Sequence, residues 1–177
     1  MEEEKKYLSL KEHRESIKNN PHSYDFDIKR CYKSVRPHLR KCGVFLPFKK
    51  KPYLEQYINE YVDMIFSAQN CKPFFYFESD LPFCWNVPQK GGWDLNYIKY
   101  EWGHLKSIHQ NSNESYNLEN LCLQSARCNQ HLQSSLNVEE LLEYGGKISI
   151  VIEQNMERRQ KLFKTDKWKK NINYLLE

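Results

Sequence analysis

The sequence lacks any apolar run near the roughly 18 uninterrupted residues that a membrane-spanning helix requires. It has six cysteines but no Cys-x-x-Cys pair, and it contains no internal repeat and no low-complexity linker. The first residues, Met1 to Lys6, also lack the basic-then-apolar order of a signal peptide. We therefore expect a cytoplasmic protein without a membrane partner, whose cysteines are reduced thiols or metal ligands rather than disulfides.

Acidic residues are missing from one long stretch of the chain. The net charge of the 177 residues is only +4, but nine basic residues and no acidic residue lie between Ile28 and Leu54: Lys29, Arg30, Lys33, Arg36, Arg40, Lys41, Lys49, Lys50 and Lys51. A second basic stretch runs from Arg158 to Lys170 and is interrupted only by Asp166. Such clusters are typical of contact with a polyanion, because Lys and Arg neutralise phosphates. Solvated helix faces explain them equally well.

Periodicity predicts helices at both ends of the chain and irregular structure between them. An amphipathic helix opened by Pro52 is indicated by an i, i+3, i+4 pattern: Leu54, Tyr57, Ile58, Tyr61, Val62, Ile65 and Phe66. A weaker stripe, from Ile148 to Phe163, follows the Gly145-Gly146 break. Helices are also expected in the first 40 or so residues, with breaks near Asn20-Pro21 and Pro37. Between Cys71 and Trp93 we expect irregular structure with one short strand at Phe74–Phe77.

The segment Tyr97–Ser135 carries the most informative pattern. Residues 97–105 are rich in strand formers and predict a strand that ends near His104. A polar loop follows, and then the apolar run Leu121-Cys122-Leu123 predicts a second strand. Ser125 can cap a helix that runs from about residue 126 to residue 133. The predicted order is strand, long loop, strand, helix.

This order and three short motifs resemble the HNH nucleases, which have the ββα-metal fold. The matching pieces are Glu101-Trp102-Gly103-His104-Leu105, then Asn117-Leu118-Glu119-Asn120-Leu121, then Arg127-Cys128-Asn129-Gln130-His131. The resemblance covers about 40 of the 177 residues. It predicts an α+β protein in which a ββα-metal core (71–136) is embedded in a mainly helical domain. A basic helical region (1–70) would precede this core, and a basic helical segment (137–177) would follow it.

The resemblance implies roles for particular residues. Phosphodiester hydrolysis needs a proton acceptor for the attacking water, and His104 matches the family's general base. Asn120 matches the position whose amide tethers the loop and orients the histidine. Asn129 would offer an oxygen ligand to Mg²⁺ or Mn²⁺. The family places a metal ligand directly before the base, where this chain has Gly103, so either Glu101 or His131 must complete the metal site.

The resulting hypothesis is a metal-dependent DNA endonuclease, of the sequence-specific type II restriction class, that acts on double-stranded DNA as a homodimer. The residues expected to contact DNA are all basic: Arg36, Arg40, Lys49, Lys50, Lys51, Lys106 and Arg127. We do not expect a structural zinc ion, because free cysteines commonly serve as small buried side chains and Cys122 lies in an apolar run. Three alternatives stay open: a nicking or homing-type nuclease, an RNA-directed nuclease, and a nucleic-acid-binding module that has lost catalysis.

Overall fold

The computed structural model describes residues 7–8, 12, 28–47, 52–75, 88–89, 92–94, 100–106, 116–126, 128–133 and 136–177. The described part is a helix-dominated α+β structure. Its helices are α1 (Ile28–Ser34), α2 (Arg36–Lys41), α3 (Pro52–Ala68), α4 (Val138–Glu143), α5 (Gly146–Phe163) and α6 (Asp166–Leu176). Its strands are β1 (Tyr7–Leu8), β2 (Pro88–Gln89), β3 (Gly92–Asp94), β4 (Tyr100–His104) and β5 (Leu121–Ser125). The first three form an antiparallel sheet in the order β1-β3-β2, and the last two form a separate antiparallel pair.

Helix α3 confirms the strongest periodic prediction. It starts at Pro52, as predicted, and its apolar stripe is buried at Leu54, Ile58, Tyr61, Val62 and Ile65. Burial of this stripe places α3 at the centre of the fold, where it packs against β5, α5 and α6. The aromatic rings of Tyr61, Trp102 and Trp168 meet on its inner side.

The predicted break near Pro37 is present, because α1 ends at Ser34 and α2 starts at Arg36. The predicted break near Asn20-Pro21 lies outside the described residues. The strand predicted at Phe74–Phe77 is wrong for its first two residues, which form a turn. Phe74 and Phe75 are fully buried and pack edge to face, so their apolar character reflects core packing rather than strand pairing. The backbone N–H of Phe74 donates a hydrogen bond of 2.8 Å to the Leu123 carbonyl.

The C-terminal helices complete the core. The glycine break is confirmed: Gly145 has φ of 72°, a conformation that favours glycine, and α5 starts directly after it. Thr165 caps α6 through a hydrogen bond from the Trp168 N–H. One core cluster draws buried side chains from positions as far apart as Cys31 and Leu175, and so from all three predicted segments. Among the described helices, none combines the length and hydrophobicity needed to cross a membrane.

Candidate active site

Strands β4 and β5 lie where the sequence predicts two strands, and they pair with each other antiparallel. Their register places His104 opposite Leu121 and Glu101 opposite Gln124. A helical turn, Cys128–Leu132, follows β5 at the predicted position, although it is a π-helical turn rather than a longer α-helix. The Ser125 hydroxyl accepts a hydrogen bond from the Cys128 N–H at 3.1 Å, so Ser125 caps this turn as predicted.

The pleat of β4 separates its side chains into two groups, because alternate residues of a strand point to opposite faces. Trp102 and His104 point toward α1 and α2, whereas Glu101 and Gly103 point toward the turn Cys128–Leu132. Trp102 is 4% exposed and its indole N–H donates to the Cys31 carbonyl at 3.2 Å, so this side chain packs in the core. The centre of the His104 imidazole lies 5.4 Å from that of His38 on α2.

His104 is half-buried, and its environment favours the neutral imidazole. Burial lowers the pKa of His104 to about 4, with smaller contributions from the neighbouring His38 and Lys41. Its Nε2 atom is buried and has no hydrogen-bond partner in the described part of the chain. The ring is therefore uncharged at neutral pH and retains a lone pair that can accept a proton.

Asn120 binds the backbone directly after His104. Its side-chain oxygen accepts from the Lys106 N–H at 2.7 Å, and its side-chain nitrogen donates to the Lys106 carbonyl at 3.0 Å. The Asn120 carbonyl also accepts from the Leu105 N–H at 3.0 Å. These three hydrogen bonds fix the path of the chain where it leaves β4, and this is the type of contact that the HNH resemblance implies for Asn120.

Two buried side chains hold the turn that contains Asn120. The Tyr61 hydroxyl donates to the Leu118 carbonyl at 2.7 Å. The Arg159 guanidinium donates through Nη2 to the carbonyls of Glu119 at 2.6 Å and Leu121 at 2.9 Å. Arg159 is only 1% exposed, so the sequence-based inclusion of this residue in a polyanion-binding stretch is wrong. Its charge is directed into the fold and supports the Asn120 turn.

On the opposite face of β4, Glu101 connects the strand to the helical turn. One carboxylate oxygen accepts from the Asn129 side-chain amide at 3.1 Å, and the other accepts from the Gln130 side-chain amide at 2.9 Å. Since the nitrogen of Asn129 donates to Glu101, its oxygen Oδ1 points elsewhere, toward Gly103. A Cβ atom built on Gly103 would lie 2.9 Å from this oxygen.

Gln124 fills the space that a side chain at position 103 would need. A Cβ on Gly103 would overlap the Gln124 amide nitrogen and would lie 2.8 Å from the Gln124 Cδ atom. The Gln124 nitrogen donates to the Gln133 side-chain oxygen and, at 3.2 Å, to the Cys122 sulfur. Its oxygen Oε1 is buried and has no partner among the described residues. The side-chain amide of Gln124 on β5 therefore occupies the space that a side chain at position 103 of β4 would fill.

These oxygen atoms fit a hard divalent cation in their chemistry. Glu101 supplies a carboxylate, Asn129 an amide oxygen, and Gln124 a buried amide oxygen without a hydrogen-bond partner. Mg²⁺ prefers oxygen ligands and commonly uses one or two carboxylates, with water and phosphate at the remaining positions. Within the described residues, no group of three or more His, Cys, Asp or Glu side chains could hold a metal ion. The side chain of His131, the other predicted ligand, lies outside the described part.

The predicted DNA contacts fall into three groups. Arg40 and Lys106 are exposed, as a phosphate contact requires. Arg36 forms an ion pair with Glu55 at 2.6 Å, so its charge is partly compensated. The remaining four residues lie outside the described part: Lys49, Lys50, Lys51 and Arg127.

The cysteines behave differently from one another. Cys122 is fully buried and Cys128 is 4% exposed, which confirms the prediction that Cys122 is a small buried side chain. Cys71 is exposed and Cys84 lies outside the described residues.

A cleft of ≈ 750 Å³ opens beside the Asn120 turn. Its lining includes Lys106 and Asn120 and, on the C-terminal helices, the apolar side chains of Met156, Phe163 and Trp168. Glu101, His104 and Asn129 are not part of this lining. The cleft therefore lies next to the candidate site but is not lined by the proposed base or by the proposed metal ligands Glu101 and Asn129.

No family model, no curated protein and no solved structure matches this chain. Its site is consequently defined by its own geometry. Three residues of that geometry, His38, Gln124 and Arg159, were not assigned to it from the sequence. Gln124 did carry a signal, since it is a polar residue inside a strand that is otherwise apolar up to Ser125.

Proposed function

We propose that this chain is a metal-dependent endonuclease that hydrolyses DNA phosphodiester bonds with His104 as the general base. The observation that carries the proposal is the arrangement of His104, Glu101 and Asn129 around a single strand. A neutral imidazole lies on one side of the end of β4, and a carboxylate joined to an amide lies on the other. This arrangement is supported by the short turn in which Asn120 fixes the chain after His104.

In this proposal, His104 accepts a proton from the water that attacks the phosphorus atom. An anionic phosphate placed beside the imidazole raises its pKa from about 4 toward neutrality, which makes it a more effective base when DNA is bound. Glu101, Asn129 and Gln124 would hold the divalent cation, which would polarise the phosphate and stabilise the leaving oxygen. Arg40 and Lys106 contact the DNA backbone and thereby position it.

We further propose the sequence-specific restriction type, with a homodimer that reads a two-fold symmetric DNA site. The restriction-type proposal is supported by the length of the polypeptide outside the β4–β5 unit, because these residues are available for DNA contacts and for dimerisation. A nicking or homing-type enzyme would share the same centre and could act as a monomer.

The decisive test is digestion of a plasmid by the purified protein, with and without Mg²⁺ or Mn²⁺. His104→Ala and Glu101→Gln should each abolish metal-dependent cleavage, while binding of the same DNA in a gel-shift assay should be retained. Glu143→Gln is a matched control, because Glu143 is an exposed carboxylate at the end of α4. It should cleave like the unmodified protein. Cleavage that persists in His104→Ala would remove His104 as the base.

The second candidate is a nucleic-acid-binding module without catalysis. The observation that favours it is the close packing around Gly103, which excludes a carboxylate at that position. Such a module would retard DNA in a gel and leave it intact with every metal ion tested. An RNA-directed nuclease would leave the plasmid intact and cleave a structured RNA, so both substrates belong in the assay.

A further inference from the structure

Two histidines from distant parts of the chain face each other beside the candidate site. His38 lies on α2 and His104 ends β4, and their ring centres are 5.4 Å apart with a 44° angle between the ring planes. Each ring has one buried nitrogen without a hydrogen-bond partner among the described residues, Nδ1 in His38 and Nε2 in His104. Buried polar atoms are nearly always paired in folded proteins, so two such atoms on neighbouring rings need an explanation.

A single hydrogen bond between these two nitrogens would satisfy both. A neutral imidazole has one N–H donor and one nitrogen acceptor, so two neutral rings form a complementary pair. The environment keeps both rings neutral, because burial lowers the pKa of each and the charge of Lys41 adds to this effect. When two imidazole nitrogens lie on the line between ring centres 5.4 Å apart, they are about 3.2 Å from each other, a normal hydrogen-bond distance.

The chemistry of a general base sets the direction of this bond. A base must present an unprotonated nitrogen to the attacking water. The Nε2 atom of His104 is buried, so only Nδ1 can serve in this role. Nε2 must then carry the proton, and a buried N–H requires an acceptor. The Nδ1 atom of His38 is the buried, unpartnered acceptor on the adjacent ring.

We infer that His38 is a positioning residue for His104. Its Nδ1 accepts a hydrogen bond from the Nε2–H of His104, which leaves the Nδ1 lone pair of His104 directed at the attacking water. The two nitrogens are not hydrogen-bonded to each other in the present ring orientation, so one ring must rotate from its 44° tilt to form the bond. The orientation of the rings is a property of the free protein, and only its catalytic consequence rests on the proposed function.

The hydrogen bond is tested directly by nuclear magnetic resonance of ¹⁵N-labelled protein at neutral pH, without metal or DNA. A scalar coupling between His104 Nε2 and His38 Nδ1, with the proton attached to His104, is the expected result. His38→Phe keeps an aromatic ring and should remove the coupling. Lys41→Gln changes the nearby charge but leaves both imidazoles, so the coupling should remain. Absence of the coupling in the unmodified protein, or a proton on His38 Nδ1, would overturn the inference.

The catalytic consequence is tested by cleavage kinetics. His38→Phe should lower kcat by about tenfold to a hundredfold, the usual effect of removing a group that orients a functional side chain, without weakening DNA binding. In His38→Gln the amide oxygen can accept the same hydrogen bond, so kcat should recover partly. If His38 has only a structural role, kcat should not recover in His38→Gln when the two variants have equal melting temperatures. That result would overturn the inference.

The two proposals fail separately. If the coupling is present but no nucleic acid is cleaved, the pairing of the histidines stands and the nuclease function is wrong. If cleavage depends on His104 but not on His38, the nuclease function stands and the positioning role is wrong.

Discussion

Replacement of Arg159 by methionine should destabilise the protein, and the structure allows the size of the effect to be worked out. The guanidinium donates hydrogen bonds of 2.6 and 2.9 Å to two backbone carbonyls and lies 5.2 Å from the centre of the Phe163 ring. Hydrogen bonds from a charged donor contribute roughly 1.5–3 kcal/mol each, so the two together contribute about 3–6 kcal/mol. Removing a buried charge recovers part of this amount, since its desolvation costs several kcal/mol.

The hydrogen bonds should dominate, because methionine leaves two carbonyls of the Asn120 turn without their donor. We expect a net loss of about 2 kcal/mol, which corresponds to a shift of about 1 M in the urea midpoint for a typical slope of about 2 kcal/mol per M. Arg159→Lys should fall between the two proteins, since one ammonium group lacks the planar fork of a guanidinium.

Lys161→Met is the matched control for this experiment. It removes a cation from the same helix, but the Lys161 side chain is 73% exposed and forms an ion pair with the exposed Glu157. Exposed ion pairs contribute little to stability, so its urea midpoint should match that of the unmodified protein. If Arg159→Met unfolds at the same urea concentration as Lys161→Met, the buried guanidinium does not stabilise the turn and the reasoning is refuted.

Two further predictions concern β4. Gly103→Ala should lower the free energy of unfolding by about 1–3 kcal/mol, because the added Cβ would overlap the buried Gln124 amide; urea unfolding at an unchanged midpoint would contradict this packing. The free energy of unfolding should also decrease as the pH is lowered from about 6.5 to about 4, and it should be constant above pH 6.5. The cause is the folded-state pKa of His104, about 4 against an ordinary value of 6.5, so that the unfolded chain binds the proton first. His104→Phe should reduce this slope in urea titrations at several pH values, and an unchanged slope would assign it to other groups.

The pattern of apolar residues along the chain predicts the helices and strands that depend mainly on residues close together in the sequence. The stripe that starts at Leu54 predicts α3, and the Leu121-Cys122-Leu123 run predicts β5. Ser125 marks the start of the turn after β5, since a hydroxyl at that position can accept from the first free N–H groups. Phe74 and Phe75 form a buried turn instead of the predicted strand, because the aromatic residues that favour strands also pack well in a core.

The contacts that build the site join residues far apart in the chain, and local pattern does not reveal them. His38 and His104 are brought together by the packing of α1 and α2 against β4, which no spacing in the sequence encodes. Arg159 is a partial exception. Its position continues the apolar stripe of α5 one turn after Asn155, and both are buried. A polar residue on the apolar face of a helix is therefore better interpreted as a buried side chain that hydrogen-bonds the backbone than as a charged residue on the surface.

The make-up of the candidate metal site follows from the glycine at position 103. A carboxylate there would have to occupy the volume that Gln124 and Asn129 fill, so the donors of the proposed metal site would come from β4, β5 and the helical turn instead. Of these donors only Glu101 is charged, whereas the other two are neutral amides. Mg²⁺ gives up its water reluctantly, and a site with a single carboxylate relies on phosphate oxygens to complete its coordination. Under the proposed function, metal and DNA would thus each strengthen the binding of the other by the same factor. The missing side chain in β4 would make the site dependent on its substrate, whereas a carboxylate at that position would let the site hold the ion alone.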